Sequence, residues 1–107
     1  MQLEEVRTRF SLGDVIEHRL FGYRGVVLDV DPVFQLSDEW YEEVARSRPP
    51  KDAPWYHVLV EDSDLPGYVA EQNLKPDASG AAIRNRLLDH YCAGCIDGRY
   101  EPLAGVN

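Results

Sequence analysis

The sequence predicts a mainly β protein: a small antiparallel barrel with one inserted helix and a second helix towards the C-terminal end. Three observations lead there. His18 to Pro32, HRLFGYRGVVLDVDP, alternates with period two and is rich in β-branched residues, as a strand with one committed core face is. Other short apolar runs are separated by turns rich in glycine and proline. Two intervals, Val33 to Arg48 and Ile83 to Tyr91, switch to helical spacing. A chain of 107 residues suits one core. A single domain is therefore expected, with its core between about residues 9 and 100.

Residues Met1 to Arg9 lack periodicity and read as an arm or a frayed first strand. Phe10 to His18 gives the first strand after a turn at Gly13. The chain then turns through Phe21-Gly22-Tyr23, where Gly22 frees the backbone for a sharp corner. In the central ribbon, Val26, Leu28 and Val30 are expected on one face, and Val27, Asp29 and Asp31 on the other. Pro32 stops it, since proline cannot donate to a ladder.

In the helical interval Ser37 is placed to cap the N-terminus, with Asp38 and Glu39 in the first turn, where the helix dipole favours acids. Trp40, Tyr41, Val44 and Ala45 form its apolar stripe, and Glu42 and Arg46 are spaced for a surface pair. Pro49-Pro50 ends it. In Trp55 to Asp62 (WYHVLVED), Tyr56, Val58 and Val60 share one face and Trp55, His57 and Leu59 the other, so both faces need cover. Tyr68 to Ala70 is a short strand, and Glu71 to Leu74 a turn leading to Lys75-Pro76. Ile83, Leu87, Leu88 and Tyr91 recur at helical spacing, which predicts a helix from about Asn85 to Ala93, stopped by Gly94. The whole describes a highly bent barrel of SH3-like type, which hides most of its strand edges.

The formal charge of −8 bears most on partners. DNA affinity comes largely from cations that displace condensed counterions, and an acidic surface opposes that at long range. Sequence-independent nucleic-acid binding is disfavoured, and contact with other proteins is compatible. No apolar run approaches the ~20 residues that span a bilayer, and the acidic start MQLEEVRTRF does not resemble a secretory signal. A cytoplasmic protein is expected. Two cysteines three apart do not make a disulfide framework.

HRLFGYRGVVLDVDP, LSDEWYEEVA, PWYHVLVED, YVAEQNLKPD and DGRY, in that order and from about Arg9 to Tyr100, resemble the HspQ heat-shock family, whose domain is also called hemimethylated-DNA-binding or YccV-like. The resemblance implies an SH3-like barrel and a homotrimer. It implies two activities as well: enhancement of degradation by the Lon protease acting on client proteins, and binding of hemimethylated DNA with an effect on expression of the replication initiator. The chain departs from the family pattern in a short Ser63–Gly67 loop, and in cysteines at 92 and 95 where aromatic residues are more usual.

Few residues offer chemistry. Cys92-Ala93-Gly94-Cys95 would close the expected helix, where the dipole does not lower a thiol pKa, and with His90 it is one ligand short of a zinc site. Packing is the favoured reading. His18 and His57 stand alone on strands without a neighbouring nucleophile, and Asp29 with Asp31 lies on a solvated face. No enzyme activity, cofactor or metal is therefore expected. Arg19, Tyr23, Arg24, Arg84 and Arg86 are the candidate nucleic-acid contacts, since converging arginines grip phosphate bidentately. The competing reading, which the composition favours, pairs them with the 19 acidic residues. Val27, Trp55 and Leu59 are the candidate protein interface, unless the inserted helix covers them through Trp40 and Val44.

Overall fold

A computed structural model describes residues 7–45 and 47–103. Five strands form one antiparallel sheet: β1 (Val15–His18), β2 (Arg24–Asp31), β3 (Trp55–Val60), β4 (Pro66–Ala70) and β5 (Leu74–Pro76). Their order across the sheet is β4-β3-β2-β1-β5. β4 and β5 therefore end the order, yet only a 3-10 turn, Glu71–Asn73, joins them in the chain. In a flat sheet the outer strands would lie about 19 Å apart, while the four residue steps from Ala70 to Leu74 reach at most ~14 Å. The sheet must curl until its ends meet, as expected of a small SH3-like barrel.

The inserted helix α1 (Asp38–Val44) begins as expected, with the Ser37 hydroxyl accepting from the Trp40 N–H. Tyr41 and Ala45 are buried, but Val44 is 55% exposed and does not join the stripe. Arg46, the expected partner of Glu42, lies outside the described residues, as does the arm up to Val6; Glu42 pairs with Arg48. The C-terminal expectation needs the largest correction. The helix α2 is a single turn, Leu88–Tyr91, followed by a hairpin of β6 (Cys92–Ile96) and β7 (Arg99–Pro102). Asp97 and Gly98 form its turn with φ of 52° and 78°, the left-handed pair that tight hairpins require. Asn85 ties this segment to the loop after β3: Nδ2 donates to the Val60 and Ser63 carbonyls and Oδ1 accepts from the Leu87 N–H.

The inner core gathers Phe10, Ile16, Val27, Tyr56, Val58, Val69 and Leu74. Val27 thus faces inward opposite Val58, not outward as alternation implied. A bulge between Val27 and Asp29 explains the shift: Leu28 is the extra residue, so Val30 turns in with Val27 while Asp29 and Asp31 share the outer side with His57. Two patches cover the outer side. Trp55 lies under Tyr41, Ala45, Phe34, Trp40 and Tyr68. Val26 lies under Ile83, Cys92, Tyr100 and Leu88. Gly13 seams the second patch to the barrel: its N–H donates to the Val27 carbonyl and its own carbonyl accepts from the Tyr100 N–H.

Candidate functional site

The basic residues come together only in part, and not as a cationic patch. Arg24, Arg84 and Arg86 converge on the acidic loop Glu61 to Asp64. The Arg24 guanidinium reaches Asp77 at 3.0 Å and Glu61 at 3.1 Å, and it also donates to the Ala81 carbonyl. Burial alone would raise the Asp77 carboxyl, but Arg24 and the Ser79 hydroxyl outweigh it and hold Asp77 below its ordinary range. Arg84 pairs with Asp62 at 2.8 Å and Arg86 with Asp64 at 2.7 Å. Four carboxylates thus meet three guanidinium groups. The competing reading holds for these three arginines, each of which is paired with a carboxylate.

Arg19 and Tyr23 lie apart from that cluster. Arg19 Nε donates to the Leu74 carbonyl at 3.0 Å. Tyr23 packs on the inner core and on the His18 ring, and burial pushes its hydroxyl up to about 12. The candidate interface is corrected as well. Val27, Trp55 and Leu59 are 0%, 2% and 4% exposed within the chain itself, so none offers a surface to a second subunit. The inserted helix covers Trp55, through Tyr41 and Ala45 more than through Val44.

Two of the exposed apolar groups that sequence reasoning missed, Leu20 and Phe21, sit together on the β1–β2 turn. His18 is buried, and its Nδ1 accepts from the N–H groups of both Leu20 and Phe21 at 3.1 Å. Burial lowers the His18 pKa, which suits a neutral acceptor. Phe21 stacks on the imidazole at 4.5 Å yet remains 76% exposed, and Leu20 is 62% exposed. A side chain at Gly67 would come within 3.4 Å of Tyr23 Oη. The start of β4, where Leu65 is 75% exposed, therefore flanks the same tyrosine. The signal was present in Leu20-Phe21-Gly22, where two large apolar residues precede a positive-φ glycine and so ride on a turn rather than in a strand.

Cys92 is buried and Cys95 exposed. Both stand on a strand, so the helix-end argument lapses, but the packing reading holds for Cys92, whose thiol is pushed up by burial. Among the described residues every buried side-chain polar atom has a partner, and no helix is long and apolar enough to cross a membrane.

Residues 8–99 match the family described as hemimethylated DNA-binding protein YccV like. The chain belongs to the YccV-like family. The match spans the whole curled sheet, the inserted helix and most of the C-terminal hairpin, so the resemblance noted in the sequence holds at the level of the domain.

Proposed function

We propose that this YccV-like protein is a non-enzymatic accessory factor of stress-linked protein turnover. It would touch a Lon-type protease and its clients through an apolar surface. The observation that carries this reading is the contrast between Arg24, Arg84 and Arg86, each neutralised by a carboxylate, and the exposed Leu20–Phe21 tip. Exposed aromatic and aliphatic groups on a rigid turn are the usual anchors of a protein contact. A histidine cap holds this turn in one shape, which lowers the ordering cost of docking. The trimer implied by the family resemblance would have to use a surface other than Val27, Trp55 and Leu59. In a purified system, adding the protein accelerates degradation of a model substrate by a Lon-type protease; unchanged rates across several substrates would refute the proposal.

The family description favours a second reading, recognition of hemimethylated DNA. The cations available for phosphate are Arg19, exposed and bonded to a carbonyl rather than a carboxylate, and Arg84 and Arg86, whose carboxylate pairs are exposed and cheaply exchanged; Arg24 is committed. Discriminating one methyl by burial alone is worth only about 0.8 kcal/mol, so a hydrogen bond to a base edge would have to assist. Binding that weakens steeply with salt and prefers hemimethylated over unmethylated duplex is the signature of this reading. A flat salt titration removes it.

A further inference from the structure

We propose that Asp29, Asp31 and His57 form a binding site for a first-row divalent transition ion of the zinc class. One ligand atom from each, two carboxylate oxygens and one imidazole nitrogen, lies within 4.8 Å of the others, a separation that donors around a single ion can close. The strands, not chance rotamers, bring them together. Asp29 and His57 are direct cross-strand partners, and Asp31 follows two residues on, so all three share the outer side. The bulge at Leu28 sets that register. Asp31 is also held from behind: the Gln35 N–H donates to the Tyr68 hydroxyl at 3.1 Å, and that hydroxyl donates to Asp31 Oδ2 at 2.8 Å. An outer hydrogen bond that orients a ligating carboxylate is a regular part of metal sites. His57 Nε2 lies 3.0 Å from the same oxygen, a direct contact that a bound ion would replace.

The donor set selects the ion. Carboxylates alone would suit magnesium or calcium, whereas an imidazole among them favours zinc, nickel or copper. Three protein donors leave positions for water or for a ligand from a partner, as an open site does. The site also adjoins an aromatic stack: His57 lies 4.7 Å from Tyr68, and Tyr68 lies 5.2 Å from Trp55 and 5.6 Å from Trp40. These are the chain's two tryptophans, so a paramagnetic ion bound there reports itself by quenching their fluorescence.

The test uses the untagged full chain, with zinc followed by calorimetry and cobalt(II) by tryptophan quenching. One ion should bind per chain, and magnesium and calcium should compete poorly. His57→Gln and Asp31→Asn should weaken binding by about tenfold or more, and Tyr68→Phe by less, in line with the loss of a ligand and of its support. Asp29→Asn, at an exposed position, should weaken binding without touching the fold. A His90→Gln/Cys95→Ser double variant should bind as the parent does. The proposal is overturned if His57→Gln binds zinc unchanged, if the His90/Cys95 variant abolishes binding, or if magnesium displaces zinc at equal concentration.

Discussion

The two covered patches on the outer side of the sheet are built in opposite ways. The Trp55 patch is aromatic and local: Phe34, Trp40, Tyr41 and Tyr68 come from segments that flank β3 in the chain. The Val26 patch is largely aliphatic and non-local, assembled from Ile83, Cys92, Leu88 and Tyr100 on the C-terminal segment. One is a sequence neighbour folded over. The other is a separate hairpin docked through a few backbone bonds. The lesson is that similar burial conceals different stability: the aromatic patch should fail only with the whole barrel, whereas the hairpin patch can open on its own.

The largest expected effect falls on the aromatic side. Trp55→Ala removes a fully buried indole and its Nε1–H bond to the Pro50 carbonyl, so chemical denaturation should show a loss of about 3–5 kcal/mol. Next comes the seam of the hairpin. Gly13 has φ of 90°, and a Cβ there would meet the Tyr100 carbonyl oxygen at 1.8 Å. Gly13→Ala should cost at least the ~1–3 kcal/mol of a strained backbone position. Its signature is selective: the buried Cys92 becomes reactive to a thiol reagent while tryptophan fluorescence keeps its native form. If both patches respond together, the comparison fails.

Smaller effects sharpen it. Tyr100→Phe leaves the buried Ile83 N–H without its 2.9 Å acceptor, which should cost about 1–3 kcal/mol and again loosen Cys92 first. Alkaline pH should act on the same patch. Burial raises the Cys92 thiol above its ordinary value of 9.0, so the unfolded chain loses that proton more readily than the folded one. The contribution is complete below pH 9 and declines as pH rises through the folded value. A Cys92→Val variant should lack that decline above pH 9. The buried tyrosines add their own losses only above the ordinary phenol value of 10.0.

The same contrast explains what the sequence disclosed. The Ser37 cap with Asp38 and Glu39 was legible because capping is decided within four residues. The faces of β3 were legible because Tyr56, Val58 and Val60 alternate without interruption. The bulge at Leu28 was hidden, since Val26, Leu28 and Val30 look like one face until an extra residue divides them. The C-terminal hairpin was misread because the helical spacing of Ile83, Leu87, Leu88 and Tyr91 masked the Asp97-Gly98 turn and the pull of Tyr100 into a distant patch. Arg24 could not be matched to Asp77 from sequence, because 19 acids offer too many partners. His57 looked isolated, and Asp29 with Asp31 merely solvated, because only strand register joins the three.

The most direct test of the functional account compares three forms of the protein in one degradation assay with a Lon-type protease and a model client. The parent and an Arg84→Ala/Arg86→Ala variant should accelerate degradation equally, while a Leu20→Ala/Phe21→Ala variant, still folded, should not. Loss of acceleration in the arginine variant with full retention in the Leu20/Phe21 variant would contradict it.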